Sequence, residues 1–542
     1  MAGEAPSATT VAHAGSGAVL LTLASGQFLM TLDSSVMNVS IAQVAEDLGT
    51  TVTGVQTAIT LYTLVMATMM ITGGKIGSMI GRRRAFGLGL VIYGVGSLTT
   101  ALAPDLVVLV LGWSVLEGLG AALIMPAIVA LVAANVPAQG RARAYGLIAA
   151  AGAVAVAAGP LIGGAVTTLW TWRLVFVGEV GVVLVILALS RRIHDSPVGP
   201  RSRLDVVGAC LSAVGLGLVV LGVLRAAEWG WIRAVPGAPA ILGLSPTLWM
   251  ALAGLLVLRL FVGWERHVVD RGAEPLVDVA MLHDARLRGG LTMFFFQFLL
   301  QAGLFFTIPL YLSVVLGLSA FATGVRLLPL SVALLVTALG VPRLAPRASP
   351  RRVVTWGLVG ILAGIVSLVG ALEVGAGAEV VTVPLLLAGL GVGALASQLG
   401  AVTVSAVPDE RSGEVGGLQN TATNLGASLG TALAGSVLIG ALTASFVAGI
   451  ADDERVMAAV SEEAQVAMAA GIPFVSDEDL AGVLATTDLS DDAAQVVVEQ
   501  NTAARLAGLR ASLAVLAIVA AVAVFLTRLL PTAQPGSRRD GG

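Results

Sequence analysis

Fourteen stretches of this chain run for 18 residues or more with scarcely a charge: 17–42, 53–74, 84–103, 106–135, 142–168, 173–190, 205–225, 246–264, 288–315, 320–342, 353–372, 381–406, 415–446 and 506–530. A helix rises about 1.5 Å per residue, so each can cross a hydrocarbon core about 30 Å thick. Within that core the backbone must satisfy its own polar groups, and a helix does so inside one segment. The chain therefore reads as an all-α polytopic membrane protein with 14 transmembrane helices. Its charged fraction agrees: 12% of residues, about half the share usual in soluble domains.

The arginines orient the spans. Arg82, Arg83 and Arg84 follow span 2, Arg141 and Arg143 follow span 4, and Arg191, Arg192, Arg201 and Arg203 follow span 6. Arg266, Arg271 and Arg286 follow span 8, Arg343, Arg347, Arg351 and Arg352 follow span 10, and Arg411 follows span 12. The intervening loops carry acids instead, among them Glu46, Asp47, Asp105, Glu373 and Glu379. The positive-inside rule then puts the even loops and both termini in the cytoplasm. That predicts a multi-pass protein of the cytoplasmic (inner) membrane with cytoplasmic tails at 1–16 and 531–542. The first 16 residues lack a basic n-region and the first apolar run exceeds an h-region, so it reads as a retained span. The acid-rich loop 447–504, with Arg455 among a dozen acids, falls outside. It reads as a solvated linker or as a vestibule whose field gathers cations.

Several chemistries find no support in the residues. One cysteine, Cys210, makes no disulfide framework, and His13, His194, His267 and His283 have no zinc-ligand spacing. No metal or cofactor is expected. No GxxxxGK[ST] occurs; the one lysine, Lys75, is followed by Ile76, and GLGVG at 389–393 lies inside an apolar run. No ATP site and no nucleic-acid surface is expected, so energy for transport would come from an ion gradient.

Four stretches carry a family likeness. LDSSVMNVSIAQVAEDLG (32–49) resembles a first-span signature LDxTxVNVALPxIxxDLG through Asp33 and Asn38, with Ala42 where proline is usual. GGKIGSMIGRRRAFGLGL (73–90) resembles the loop motif GxLaDrxGRrxxl through Gly74, Gly81, Arg82 and Arg83, with Ser78 in the aspartate position. LGWSVLEGLGAALIMPA (111–127) resembles the span-4 motif RxxQGxGaA through Gly118, Gly120 and Ala121, with Ser114 for arginine and Glu117 for glutamine. GAVAVAAGPLIGGAV (152–166) resembles the span-5 antiporter motif through Gly159, Pro160, Gly163 and Gly164; Glu179 and Gly181 then replace an asparagine and a proline. Together they resemble the fourteen-span drug:proton antiporters of the QacA/EmrB type in the major facilitator superfamily. The resemblance implies two six-helix bundles with pseudo-twofold symmetry (17–190 and 287–530), two extra central helices with flanking loops (191–286), and alternating access around a midplane site. It also implies a gating loop at Gly74, Gly81, Arg82 and Arg83. Gly159, Pro160, Gly163 and Gly164 would let helices bend and approach.

The residues inside the spans add their own chemistry. Asp33, Glu117, Glu179 and Arg326 lie in apolar helices, where a charge costs about 2.5–3.5 kcal/mol or more and marks function. Burial disfavours a charged carboxyl, which suits a group that must load and release protons. These four are the candidates for proton coupling or substrate binding. Asp33 alternatively hydrogen-bonds Ser34, Ser35 or Asn38, Glu117 bonds a neighbouring helix, Glu179 faces water near the outer edge, and Arg326 snorkels or pairs with an acid. Gln27, Asn38, Gln56, Gln297, Gln301, Gln398, Gln419, Asn420 and Asn424 are candidate cavity or helix–helix groups. Phe294, Phe295, Phe296 and Phe298 stack on cations or pack. Arg82, Arg83, Arg84 and Lys75 anchor the topology or act in the gating loop that the resemblance implies.

The expected function is proton-coupled efflux of hydrophobic or cationic compounds, with the bilayer, protons and small molecules as partners and no enzymatic step. The alternatives are export of an endogenous metabolite or lipid, or a non-transporting sensor.

Overall fold

The computed structural model describes residues 8–50, 52–195, 204–235, 237–451, 474–485 and 491–532. The described residues form helices: α1 (Ala8–Asp47), α2 (Val52–Ile80), α3 (Arg82–Ala101), α4 (Leu106–Asn135), α5 (Ala138–Leu169), α6 (Arg173–Ser190) and α7 (Val206–Leu224). They continue as α8 (Pro246–Asp270), α9 (Ala285–Val315), α10 (Ala320–Leu344), α11 (Pro350–Ala371), α12 (Thr382–Val404), α13 (Ser412–Ala451) and α14 (Asp491–Leu526). Thirteen are long and apolar enough to cross a membrane by composition. The remaining one, α3, opens on three arginines, which lower its hydropathy, but its 20 residues give about 30 Å. All fourteen expected spans are thus helices.

Local sequence sets the helix ends. Asp105, Asp205, Asp284, Ser319 and Ser349 each cap a helix, their side chains accepting hydrogen bonds from first-turn N–H groups. Gly81 joins α2 to α3 at φ 102°, a conformation that disfavours any side chain.

Two six-helix bundles result. In the first, α1 packs on α5 and α6, and α3 packs on α4 and α6; in the second, α12 packs on α10 and α11, and α14 on α11 and α13. The bundles meet where α2 and α4 lie on α13, and where α5 lies on α10 and α12. The seam is tightest toward the arginine-rich face: a Cβ added at Gly74 would lie 2.5 Å from the Gly413 carbonyl oxygen. Helices α7 and α8 form a pair, and α7 straddles the seam by packing on both α2 and α13.

Glycine does in this core what hydrophobic burial alone does not do in lipid, since small residues let backbones approach. Gly159 of α5 faces the Ser35 side chain, and a Cβ added at Gly163 would lie 2.9 Å from Val36. The span-5 motif is therefore a close-packing surface against α1. The side chains of Asn38 and Pro160 lie outside the described residues, as do 452–473 and 486–490 of the acidic loop.

Candidate functional site

Asp33 on α1, Glu117 on α4 and Glu179 on α6 come together in the first bundle. One carboxylate oxygen from each lies within 4.8 Å of the others, and all three side chains are buried. A π-helical stretch, Val110–Glu117, widens α4 immediately before Glu117 and buries Trp113, Ser114 and Glu117. Such wide turns recur at functional sites because they redirect side chains the regular helix would turn away.

The surrounding donors come from two helices, α3 and α4. The Trp113 indole N–H donates to Asp33 Oδ1 at 2.8 Å. Ser97 donates to Glu179 Oε2 at 2.8 Å and Tyr93 donates to the same oxygen at 3.2 Å. Thr100 lies 3.3 Å from Glu117 Oε1. Tyr62 stacks on Trp113 with centroids 4.8 Å apart. Ser114, in the position of the family's arginine, donates to the Ala58 carbonyl at 2.8 Å.

The arrangement is short of positive charge. Among the described residues no lysine or arginine bonds to any of the three acids, and Asp33 Oδ2, Glu117 Oε2 and Glu179 Oε1 carry no hydrogen bond. Two unit charges 4.8 Å apart repel by about 3–4 kcal/mol at an effective dielectric of about 20. Three ionised carboxylates here would carry three such terms besides their desolvation. Protons are the smallest remedy. Three hard oxygens at this spacing also match the reach of a hard cation, and the three acids are the residues that would hold it.

Two expectations change. Glu179, read as able to face water, is 3% exposed because α6 turns it onto Tyr93 and Ser97 of α3. Asp33 takes its hydrogen bond from α4, while Ser35 donates to the Val156 carbonyl at 3.2 Å and Ser34 lies 3.5 Å from the Met30 carbonyl. Arg326 is half-buried on α10 and, among the described residues, makes no ion pair; the acids find their partners elsewhere.

The polar candidates mostly serve helices. Gln27 donates to Thr31 at 3.2 Å, Gln398 to Ser397 at 3.2 Å, Asn420 to the Gly416 carbonyl and Asn424 to the Asn420 carbonyl, both at 2.9 Å. Gln419 donates to Thr403. Gln56 is exposed, Gln301 half-buried, and Gln297 buried with its Oε1 unpaired. Phe294, Phe295 and Phe296 pack against the core of the second bundle.

The residues expected to form a gating loop make different contacts. Arg82 is buried and donates to the Asp409 carbonyl across the seam. Arg83 stays in its own bundle, 3.4 Å from the Arg191 and Ile193 carbonyls. Arg141 grips the Asp409 carboxylate at 2.9 Å. Sequence reasoning missed Tyr93, Ser97, Thr100 and Trp113 as partners of the acids, and Tyr62 as the ring stacked on Trp113. It read Lys75 as a topological anchor or part of the gating loop without seeing its burial; Lys75 is 4% exposed. The available signals were the helical spacing of Tyr93, Ser97 and Thr100 on one face, and a lone lysine inside a helix.

Comparison with known proteins places this geometry. The chain is 32% identical to a puromycin resistance protein of Streptomyces alboniger, over 79% of this chain and 83% of that one. It is 31% identical to the tetracenomycin C resistance and export protein of Streptomyces glaucescens, over 80% and 77%. It is 28% identical to the multidrug efflux pump LfrA of Mycolicibacterium smegmatis, over 85% and 89%. Among solved structures, the human organic anion transporter MFSD10 superposes with a TM-score of 0.57 at 13% identity, covering 96% of this chain and 100% of that one. The proton:xylose symporter XylE superposes at 0.52 with 14% identity, covering 91% and 95%. The Major Facilitator Superfamily model matches residues 23–431; with its two six-helix bundles and extra central pair, the chain belongs to the major facilitator superfamily.

Proposed function

We propose that this chain is a proton-coupled efflux transporter that exports hydrophobic or cationic drugs across the cytoplasmic membrane by alternating access. The observation that carries the reading is the cluster of Asp33, Glu117 and Glu179, three buried acids each with one oxygen free of hydrogen bonds and, among the described residues, no lysine or arginine bonded to them. Such a cluster holds protons in one conformation and sheds one when its surroundings change. The bundles at 17–190 and 287–530 would rock about the seam, with the pair at 191–286 between them. The arginine-rich face and both termini would lie in the cytoplasm. The conformation described here is closed at that face, through Arg82, Arg141 and Asp409 and the close approach at Gly74.

Arg326 and the polar side chains Gln27, Asn38, Gln56, Gln297, Gln301, Gln419, Asn420 and Asn424 remain candidates for the substrate path. Export of an endogenous metabolite is a second reading, favoured by the export named for the Streptomyces glaucescens relative. The test uses everted vesicles with ethidium as the probe. Adding ethidium should release protons from the unaltered protein, and Asp33→Asn or Glu117→Gln should abolish that release. Undiminished release in both variants would remove the cluster from coupling. Proton coupling to a cell-derived metabolite extract, with ethidium inert, would favour the second reading.

A further inference from the structure

The chain's one lysine, Lys75, lies on α2 near its end at Ile80 and is 4% exposed. Its ammonium sits 3.5 Å from Glu274 and 3.7 Å from Glu414. Glu414 belongs to the first turn of α13, in the second bundle. Glu274 belongs to neither bundle: it lies in the linker that leaves the extra pair after α8 and leads to α9.

That linker is built into the structure. The Val277 N–H donates to Glu265 of α8 at 3.2 Å, and Glu265 is fully buried. Leu276 and Val277 are buried in a core at the seam that joins first-bundle residues to Leu287, Ala401, Val404 and Val415 of the second bundle. Asp278 accepts from the Ala280 N–H and pairs with Arg411 at 2.5 Å. Arg411 sits in the loop between α12 and α13, so Asp278 ties the linker to the second bundle. Asp409, two residues before Arg411, is the residue that Arg82 and Arg141 hold from the first bundle.

We infer that the linker 274–278 is a third jaw of the gate at the arginine-rich face: Glu274 joins Glu414 in holding Lys75, while Asp278 binds the linker to Arg411 of the second bundle. When that face opens, Lys75 leaves both glutamates, and the Asp278–Arg411 pair travels intact with α13. The extra pair of helices thereby takes part in alternating access, which gives its position across α2 and α13 a purpose. Lys75 and Glu274 are positioning residues; neither touches the acids of the first bundle. The substitution of Ser78 for the loop aspartate fits this arrangement, since Ser78 only donates to the Lys75 carbonyl at 2.7 Å.

The inference rests on alternating access but on neither the driving ion nor the exported compound. Its test therefore uses purified protein without substrate or gradient. In a Cys210→Ser background, nitroxides at His194 and Arg347, exposed on the arginine-rich sides of the two bundles, report the width of that face by electron–electron resonance. Glu274 is half-exposed, so Glu274→Gln should fold normally. It should raise the wide population by about two- to fivefold, in line with the loss of a partly screened ion pair. Lys75→Met should raise it further, and Lys75→Arg should restore the narrow distribution, which a purely packing role would not require. A distance distribution unchanged by Glu274→Gln overturns the linker's part. One unchanged by both Glu274→Gln and Lys75→Met overturns the gate, while leaving ethidium-driven proton release as the separate measure of efflux.

Discussion

In the first bundle three carboxyls share the interior: Asp33, Glu117 and Glu179, all buried. In the second bundle most of the buried polar side chains along the helices are neutral, among them Gln297, Thr307, Ser397, Gln398 and Ser512, with Thr307 and Ser512 hydroxyls 3.4 Å apart. Its buried charges among the described residues each face a partner of opposite charge. Glu414 is in the first turn of α13, and Arg505 of α14 is paired with Asp477. The two halves are packed by the same device, glycines that bring backbones together, yet only one accepts the desolvation of several acids. Packing is what the two bundles share; the cluster of buried acids belongs to one of them.

The sharpest way to break that asymmetry is to neutralise the acids. Asp33→Asn, Glu117→Gln and Glu179→Gln each remove a proton-carrying group while preserving shape. Substrate-driven proton release should fall at least tenfold, a barrier change of about 1.4 kcal/mol or more. The purified variants should melt no lower than the unaltered chain, because a neutral amide relieves repulsion among the acids. A drop in melting temperature with coupling retained would make the cluster a structural network.

Packing should respond alike in both halves. A Cβ at Gly120 of α4 would lie 2.8 Å from the Gly89 carbonyl oxygen of α3. A Cβ at Gly391 of α12 would press on the Gly357 carbonyl of α11. Gly120→Ala and Gly391→Ala should each cost about 1–3 kcal/mol by overpacking, read as detergent melting temperature. A large loss at one site and none at the other would show that the bundles differ in packing as well as chemistry.

The same contrast explains what the sequence made legible. Fourteen apolar runs and the alternating arginines determined helix number and order, because length and hydropathy act one segment at a time. Asp33, Glu117 and Glu179 were visible singly for the same reason: an acid in an apolar run is anomalous wherever it points. Their meeting was not visible, since it depends on how α1, α4 and α6 rotate about their axes and on the π-helical stretch before Glu117. Glu179 shows the difficulty best. Its distance from the start of α6 suggested access to water, yet the side packed on α3 decides its burial. Lys75 shows the opposite difficulty. Beside Arg82, Arg83 and Arg84 it read as a topological anchor or part of the gating loop, and its burial stayed hidden because its partners lie about 200 and 340 residues away in sequence.

Trp113 offers a smaller test on the first bundle. Its indole N–H serves Asp33 and its ring stacks on Tyr62. Trp113→Phe keeps most of the ring but removes the donor, leaving Asp33 with one partner fewer. A cost of about 1–2 kcal/mol is expected, together with a changed pH dependence of proton release. An unchanged pH profile would mean that the indole merely fills space.

The least effect is expected at Gln297, and it bears on the second bundle's neutrality. Gln297 is buried on α9 with its carbonyl oxygen unpaired. An unpaired buried amide oxygen is a cost the fold already bears, so Gln297→Leu should change stability by less than about 1 kcal/mol and by either sign. Proton release should be untouched, because no acid of the cluster contacts α9 through any bond described above. Ethidium affinity is the discriminating readout. If Gln297→Leu leaves it unaltered, the amide is a helix-packing group. A severalfold weakening with coupling intact would instead place the substrate path along α9, separating the proton half of the molecule from the half that holds the cargo.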